Sequence, residues 1–306
     1  MITPSYLIEL QSLPLKEKVN ISKQRIKEFY KQCNGKVYVS FSGGKDSTVL
    51  LHLVRSVYPD TPALFCDTGL EYPEIKEFVK AVKNVTWTRP KMTFKEVLDK
   101  YGYPIISKTV SMGLSRYRNT KSEIQRKLRK YGGINPTSGK KQEASIPLKW
   151  HYLIDSPFKF SEKCCRYIKK EPFTRYNRET NKAPFIGTMA IDSVIRKQNY
   201  LKYGCNIVGQ KDPKSTPLGF WLEKNIWEYI GENKLPYSKI YDMGVLRTGC
   251  MFCMFGVHLD KEPNRFQLMY ETHPKLWDYC INKLECGKIL ESINVPYKKY
   301  QQNKLF

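Results

Sequence analysis

The stretch KVYVSFSGGKDSTVLLHLV, residues 36–54, constrains the fold of this chain more than any other. The β-branched residues Val37 and Val39 indicate a buried strand. A turn with two adjacent glycines follows, and apolar residues then recur at helical spacing from Val49 to Val54. Such a turn directs main-chain N–H groups outward at a helix N-terminus, where they attract anions. The stretch therefore predicts a phosphate-binding turn at the end of a core strand.

The side chains of this turn suit a phosphate, although they match neither of the two common phosphate motifs. Gly43 and Gly44 let the backbone approach a ligand closely, and Lys45 adds a full positive charge. The Walker A motif is excluded because position 39 is Val and position 46 is Asp, and the dinucleotide pattern G-x-G-x-x-G is absent. The structural alternative is an ordinary glycine turn with an unrelated lysine. Hydroxyl donors are supplied by Ser40, Ser42, Ser47 and Thr48.

Strand and helix patterns alternate along the chain. A buried strand is expected from Ala63 to Cys66, a helix from about Pro73, a short strand at NVTWT and another at APFIGTMAI. This alternation predicts an α/β fold with a doubly wound, mostly parallel, Rossmann-like sheet and a helical C-terminal extension. We expect three segments: an N-terminal helical segment of residues 1–34, a domain of residues 35–256 with a basic insertion at 107–150, and a helical tail of residues 257–306.

The chain is strongly basic. It has 52 Lys and Arg against 29 Asp and Glu, a formal charge of +23, which attracts polyanions such as nucleic acid. Residues 107–150 are the most basic part, and Tyr117 and Tyr131 are interleaved with the charges on what we expect to be one helix. A nucleic-acid arm and a solvated helical insertion are both compatible with this pattern. The candidate nucleic-acid residues are Arg116, Arg118, Arg126, Lys127, Arg129 and Lys130.

The cysteines indicate a metal, cluster or catalytic role. There are nine, an odd number, and the chain shows neither a signal-peptide pattern nor a membrane-length apolar run, so we expect a cytoplasmic protein without a disulfide framework. Cys164 and Cys165 are adjacent, and Cys250 and Cys253 form C-x-x-C. Four such thiolates could bind zinc or an iron–sulfur cluster. An adjacent pair is a poor zinc knuckle, and four unrelated thiols remain an alternative.

Several ordered motifs resemble one family. SFSGGKDS resembles the PP-loop of the adenine nucleotide alpha-hydrolase-like superfamily, and CDTGLEYPE and GTMAIDSVIRKQ are similar to segments of the phosphoadenylylsulfate (PAPS) and adenylylsulfate (APS) reductases. KCCRYIKKEPF and the block that ends in TGCMFC resemble the cysteine segments of the cluster-bearing members. The resemblance covers roughly residues 36–256.

The resemblance implies a site for an adenine nucleotide, either ATP or APS/PAPS, and a [4Fe-4S] cluster. Arg196 would contact phosphate or sulfate, and Mg²⁺ would bind Asp46. Two positions depart from the family pattern: Met189 replaces the arginine of Gly-x-Arg, and Cys286, in the position of the reductase nucleophile, follows an apolar helical stretch instead of lying in a mobile tail. The implied nucleotide residues are Ser40, Ser42, Gly43, Gly44, Lys45, Asp46, Ser47, Asp67, Thr68 and Gly69, and the implied cluster ligands are Cys164, Cys165, Cys250 and Cys253.

These features predict a PP-loop enzyme of sulfur metabolism, with Lys45, Asp46 and Arg196 as catalytic residues. The favoured reaction is ATP-dependent adenylylation followed by sulfur transfer to a nucleic acid, tRNA or DNA, with a sulfur donor protein as partner. The first alternative is a thioredoxin-dependent APS/PAPS reductase that releases sulfite. The second is a non-catalytic nucleotide-binding module within a complex.

Overall fold

The structure is a computed structural model that describes residues 2–142, 145–210 and 212–298. The strands, in chain order, are β1 (Val37–Ser40), β2 (Ala63–Cys66), β3 (Val85–Thr88), β4 (Ala183–Ile186), β5 (Asn206–Ile207) and β6 (Lys214–Ser215). The α-helices are α1 (Pro4–Ser12), α2 (Leu15–Gln32), α3 (Lys45–Arg55), α4 (Pro73–Ala81), α5 (Phe94–Tyr101), α6 (Lys108–Asn119), α7 (Glu123–Tyr131), α8 (Glu171–Thr180), α9 (Val194–Tyr203), α10 (Glu223–Glu232), α11 (Arg265–Thr272), α12 (Pro274–Asp278) and α13 (Cys286–Ser292).

The chain divides into two compact units. The first, here called the sheet unit, comprises Met1–Asp67, Glu71–Arg89 and Pro172–Asp242. The second, here called the cysteine unit, comprises Thr68–Leu70, Pro90–Glu171 and Met243–Phe306. The basic insertion and the C-terminal tail that the sequence separates both belong to the cysteine unit.

The sheet unit contains a six-stranded sheet in the order β3-β2-β1-β4-β6-β5. Every neighbouring pair is parallel except β5 and β6. This confirms the predicted α/β fold with a mostly parallel sheet. Strand β1 is central: β2 and then β3 follow on one side of it, and β4 pairs with its other side. Such a reversal of strand order beside β1 is where open α/β sheets bind ligands, at the carboxyl ends of the strands.

Burial explains why these segments form these elements. Val37, Tyr38 and Val39 of β1 are all buried, as expected for a central strand of a parallel sheet covered on both faces. Helix α3 buries its apolar residues and packs against α2 and α10. The rings of Phe29 on α2 and Phe185 on β4 meet edge to face at 5.1 Å. The glycine turn is therefore fixed at one end by the central strand β1 and at the other end by the buried helix α3.

The cysteine unit is mostly helical. A capping box joins Thr93 and Glu96 at the start of α5. The prediction of one basic helix across the insertion is wrong, because the structure divides those residues between α6 and α7. The reason is local: Thr120 has an extended backbone that ends α6, and the Ser122 side chain accepts the Gln125 N–H and begins α7. Shorter segments are the 3-10 stretch Leu148–Asp155 and the π-helical turns Cys165–Lys170 and Tyr279–Lys283.

Across the three described ranges, every helix is too short or too polar to cross a lipid bilayer.

Candidate active site

The glycine turn that follows β1 has the backbone geometry that the sequence predicts. Gly43 has a φ of +73°, a left-handed conformation that glycine adopts without strain. A Cβ on Gly43 would lie 2.7 Å from Val79 Cγ2 and 2.9 Å from Ile75 Cγ2, both on α4. The turn is therefore pressed against α4, and only a residue without a side chain fits at this position.

We expect Gly43→Ala to destabilise the sheet unit by about 2–4 kcal/mol, the sum of left-handed strain and overpacking against α4. A matched control is Gly231→Ala, since a Cβ on Gly231 of α10 meets no atom of the described residues within 4 Å. That control should stabilise the protein by about 0.5–1 kcal/mol, the usual gain from Gly to Ala in a helix. Thermal denaturation measures both changes, and equal melting temperatures for the two variants would contradict the strained geometry.

Main-chain N–H groups of the turn converge on hydroxyl oxygens. The Ser42 N–H donates to Ser47 Oγ at 3.2 Å, and the Gly44 N–H donates to Ser42 Oγ at 3.4 Å. The Lys45 N–H, at the first residue of α3, donates to the Tyr241 hydroxyl at 2.8 Å. These donors lie at the positive end of a helix, so negatively charged oxygens are better acceptors for them than hydroxyls.

Lys45 lies at the centre of this group and is only 4% exposed. Its Nζ lies 3.3 Å from Asp46 Oδ1 and 3.3 Å from Glu223 Oε1, and 5.9 Å from the centre of the Tyr241 ring. Burial is the largest single influence and lowers the pKa of Lys45, but Asp46, Tyr241 and Glu223 together outweigh it, so the pKa is raised. The ammonium therefore remains charged in a largely desolvated position.

Asp46 is the unusual carboxylate of the turn. Its Oδ1 is buried and forms an ion pair with the Lys45 ammonium at 3.3 Å, but no hydrogen bond to it is found within the part of the chain that the structure describes. Burial raises the pKa of Asp46, and Lys45 only partly opposes this. A buried carboxylate oxygen that accepts no hydrogen bond suits a hard cation such as Mg²⁺, which binds oxygen ligands.

The ends of β2 and β4 place further predicted residues in the sheet unit. Asp67 follows β2 and is held by Lys76 at 2.6 Å and by Arg89 at 3.0 Å. Gly187 follows β4, and a Cβ there would lie 3.1 Å from the main-chain oxygen of Asp46, so this loop contacts the glycine turn directly. Ser40 is the last residue of β1.

Arg196 lies in the first turn of α9 and is exposed. It forms an ion pair with Asp192, and its N–H donates to Ser193 Oγ at 3.3 Å. It also lines a cavity of about 230 Å³, together with Thr188 and the buried Met189. A cation beside a cavity of the sheet unit is consistent with a role in anion binding.

Thr68 and Gly69 belong to the cysteine unit, although Asp67 belongs to the sheet unit. The Thr68 hydroxyl accepts the Leu70 N–H at 3.2 Å, and the Leu70 carbonyl accepts the Met251 N–H at 2.9 Å. Gly69 has a φ of +76°. Thr68–Leu70 therefore pairs, within the cysteine unit, with the segment that carries the C-x-x-C cysteines.

The four predicted cluster cysteines interact with one another in the cysteine unit. Cys164 precedes the π-helical turn and is buried, and its pKa is raised by its hydrogen bond to Cys165, by burial and by the charges of Cys253 and Cys250. The pKa of Cys165 is lowered, chiefly by the same hydrogen bond. The Cys253 N–H donates to the Cys250 carbonyl at 3.1 Å, which closes the C-x-x-C turn.

Lysines lie beside these thiols. The pKa of Lys169 is raised, first by Cys250 and then by Cys165 and Cys253, and Lys108 helps to lower the pKa of Cys165. Within the described part of the chain, no group of three or more His, Cys, Asp or Glu side chains has the arrangement that holds a metal ion. Burial raises the pKa of Cys253 as well, so among these cysteines the nearby lysines favour the thiolate most clearly at Cys165.

Cys286 is fully buried at the first residue of α13. Cys280 is also fully buried, and its pKa is raised by burial and by the neighbouring Cys286. A Cβ on Gly287 would lie 2.8 Å from Ile281 Cγ2, so the segment is packed closely. Cys286 therefore lies in the helical core of the cysteine unit.

The basic insertion contains two kinds of cation. Arg118 is structural: its guanidinium donates to the carbonyls of Leu153 at 2.8 Å, Ile154 at 2.9 Å and Ser156 at 2.6 Å, and also to that of Phe158. Arg116, Arg126 and Lys127 are exposed. Arg129 and Lys130 are half-buried on α7. The Arg118 guanidinium is thus engaged by main-chain carbonyls. Contact with nucleic acid remains a prediction for Arg116, Arg126, Lys127, Arg129 and Lys130.

We expect Arg118→Lys to destabilise the protein by about 2 kcal/mol, because one ammonium cannot replace a guanidinium that binds four carbonyls. Arg116→Lys, two residues earlier on α6 and exposed, is the matched control and should leave the melting temperature unchanged. Equal melting temperatures for the two variants would show that the four carbonyl contacts contribute no stability.

Sequence reasoning missed two residues that surround Lys45. Glu223 begins α10, and Tyr241 ends a short 3-10 turn. Tyr241 belongs to a Tyr-x-x-Gly pattern, which was a usable signal, whereas nothing in the local sequence distinguishes Glu223 from the other acidic residues of the chain.

Comparison with known proteins identifies the family. The model of the phosphoadenosine phosphosulfate reductase domain matches residues 36–143 and 117–255. An uncharacterized protein of Methanocaldococcus jannaschii is 26% identical over 267 residues, which cover 85% of this chain and 43% of that protein. The match to a second protein of that organism covers 51% of that protein, so the chain spans about half the length of these curated relatives.

Two further relatives carry functional names. The adenosine 5'-phosphosulfate reductase of Bacillus cytotoxicus is 22% identical over 238 residues, which cover 74% of this chain and 77% of that protein. The crystal structure of the PAPS reductase of Candida auris, a phosphate complex, has a TM-score of 0.44 and 17% identity, over 82% of this chain and 96% of that one. The family model matches more than half of the residues, and the protein therefore belongs to the PAPS reductase family of PP-loop, adenine nucleotide alpha-hydrolase-like proteins.

Proposed function

We propose that this protein uses ATP to adenylylate an oxygen of a nucleic acid and then replaces that oxygen with sulfur. The glycine turn supports the nucleotide part of the proposal, and the basic insertion supports a polyanionic acceptor. The observation that carries the choice of sulfur transfer over sulfate reduction is the burial of Cys286.

The residues of the sheet unit have separate tasks in the first step. The N–H groups of Ser42, Gly44 and Lys45 would donate to the β- and γ-phosphates in place of their present hydroxyl acceptors. Lys45 would neutralise charge that develops on the leaving pyrophosphate, and the buried Asp46 Oδ1 would bind Mg²⁺. A bond forms between the acceptor oxygen and the α-phosphorus as the bond from that phosphorus to the β-phosphate oxygen breaks.

The second step exchanges oxygen for sulfur. The adenylylated oxygen leaves with AMP when sulfide attacks the atom that bears it, so the acceptor gains sulfur and loses oxygen without net oxidation. Cys164, Cys165, Cys250 and Cys253, the ligands that the family resemblance implies, would hold a [4Fe-4S] cluster, and Lys169, whose pKa is raised first by Cys250, would offset the charge of their thiolates. Such a cluster supplies a site where sulfide can be bound and delivered.

The reductase alternative requires a thiolate that reaches the sulfate of APS or PAPS. The relatives named adenosine 5'-phosphosulfate reductases favour this alternative. Cys286 is the residue whose sequence context matches that nucleophile, but its side chain is 0% exposed, as is that of Cys280. A buried thiol among apolar residues is usually inert, so the geometry favours sulfur transfer.

Two assays on anaerobically purified protein test the proposal. The first measures pyrophosphate release from ATP with and without single-stranded nucleic acid. The second measures sulfite release from APS or PAPS in the presence of thioredoxin. We expect pyrophosphate release that nucleic acid stimulates, and no sulfite. Sulfite production that Cys286→Ser abolishes would establish the reductase instead, and the absence of both products would favour a non-catalytic module.

The exposed cations of the insertion should contribute to nucleic-acid affinity. We expect Arg126→Glu combined with Lys127→Glu to weaken binding and to reduce the slope of log affinity against log salt by about one for each phosphate that is no longer neutralised. A matched control is Lys16→Glu with Lys27→Glu on α2, two exposed residues of the sheet unit that change the net charge equally. Fluorescence anisotropy with a labelled oligonucleotide measures the affinity of both double variants. If both lose affinity equally, net charge alone explains the effect and the insertion has no specific role.

A further inference from the structure

A cavity of about 510 Å³ lies within the cysteine unit, apart from every residue assigned above to the nucleotide or the cluster. Its walls come from three segments: the 3-10 stretch that contains Lys149–Tyr152, the residues between Val257 and Asn264, and residues 293–296 that follow α13. Its volume falls in the range of about 300–1,000 Å³ that is usual for small-ligand sites. The cavity can therefore admit one ring system with its attached sugar.

One wall of the cavity is aromatic. The Trp150 ring lies 6.2 Å from the Tyr152 ring and 5.4 Å from the His258 ring, measured between centroids. The Lys149 ammonium lies 5.2 Å from the centre of the Trp150 ring. Tyr152 is 51% exposed although its hydroxyl donates to the Ser292 carbonyl at 3.1 Å. The Trp150 ring is half-buried. An accessible aromatic ring beside a lysine is the combination that binds the bases of single strands.

The polar groups of the cavity suit the edge of a base better than a phosphate. Asp260 and Glu262 both line it, and their carboxylates are held by Arg265 and Gln267 respectively. Carboxylates repel a phosphate but accept hydrogen bonds from exocyclic amines. His258 Nδ1 is buried and has no hydrogen-bond partner among the described residues, and burial lowers the pKa of His258, which favours the neutral ring. A neutral imidazole can donate and accept along the edge of a base.

The cavity adjoins the cationic part of the insertion. Helix α7 packs against the 3-10 stretch that carries Trp150, and the Ile146 N–H donates to the Arg129 carbonyl at 2.8 Å. The Tyr131 ring lies 5.9 Å from the His151 ring, and the Lys130 ammonium lies 5.4 Å from the centre of the Tyr131 ring. Cations for phosphates on α7 therefore lie next to the rings for bases on the 3-10 stretch.

We propose that this cavity receives one unpaired base of a single-stranded nucleic acid, stacked on Trp150, while α7 holds the neighbouring phosphates. The inference rests on the proposed function in that nucleic acid is the acceptor. It goes further because it requires a single strand and assigns the recognition of a base to a separate site.

The test compares two fluorescein-labelled 12-mers by anisotropy: a single strand with all its bases, and an abasic strand with the same number of phosphates. We expect Trp150→Leu to weaken binding of the strand with bases roughly 5- to 150-fold, the loss typical of one stacked base, and to leave binding of the abasic strand unchanged. Tyr152→Ala should act in the same direction. Tyr203→Ala is the matched control, because Tyr203 is also an exposed tyrosine beside a lysine but lies in the sheet unit.

Three outcomes would overturn the proposal. Trp150→Leu could bind the strand with bases as tightly as the wild type does, or its affinity for the two strands could fall equally. The third outcome is a wild type with the same affinity for both strands. The melting temperature of each variant excludes a folding defect, and Tyr152→Ala repeats the test with a more exposed ring. Pyrophosphate release separates this inference from the proposed function. Binding that depends on Trp150 without stimulated release would refute only the function, and stimulated release that is indifferent to Trp150→Leu would refute only the cavity.

Discussion

Lys45→Met should reduce nucleotide-dependent turnover about 100- to 1,000-fold, the usual cost of removing one charged group that stabilises a transition state. The side chain keeps its length and loses its ammonium. That ammonium lies 3.3 Å from both Asp46 and Glu223, on a residue only 4% exposed. Its loss leaves these carboxylates without their cation and gives the turn a negative character that repels phosphate. Both the affinity for ATP and pyrophosphate release should therefore fall, as measured by calorimetry and by a phosphate-coupled assay.

A matched lysine separates this effect from a general loss of stability. Lys18 on α2 is 1% exposed, and its Nζ donates to the Gln11 carbonyl at 2.8 Å and to Asn225 Oδ1 at 2.7 Å. Lys18→Met should lower the melting temperature because it leaves buried acceptors unpaired, but it should retain most of the turnover. If Lys45→Met bound ATP and released pyrophosphate at the wild-type rate, the glycine turn would not be the nucleotide site.

The sequence was sufficient to predict the architecture around the glycine turn, because the determinants there are local. Val37 and Val39 are buried in a central parallel strand, and two glycines lie where the turn meets α3. Each of these signals arises from residues adjacent in the chain, and each agrees with its neighbours. Agreement of this kind across local levels is what lets a sequence specify a fold.

Contacts between residues that are distant in the sequence escaped the same reasoning. Tyr241 accepts a hydrogen bond from Lys45, 196 positions earlier, and Glu223 reaches the same lysine. Arg118 was predicted as a nucleic-acid cation because its charge is visible in the sequence, whereas the four carbonyls that it binds become neighbours only through folding. Charge can be counted along a chain, but the partner of a charge depends on tertiary structure.

Cys250→Ser should abolish the brown colour and visible absorbance expected of anaerobically purified protein, and reduce bound iron and acid-labile sulfide from about four of each per chain to near zero. The reason is that Cys250 contributes most strongly to the raised pKa of Lys169 and also acts on Cys164, so it lies among the thiols that would hold the cluster. A serine hydroxyl is a far poorer ligand for iron than a thiolate. Iron and sulfide analysis with an absorbance spectrum measures the loss.

The control for this substitution is Cys33→Ser, which replaces another half-buried thiol but in the sheet unit, at the end of α2. It should retain the full colour and iron content. Cys250→Ser should in turn retain ATP binding, because Lys45 and Asp46 belong to the sheet unit, whereas Lys45→Met should keep the cluster and lose ATP. An unchanged spectrum in Cys250→Ser would refute the cluster assignment, and a colourless wild type with one zinc per chain would replace it with the zinc site that four thiolates also permit.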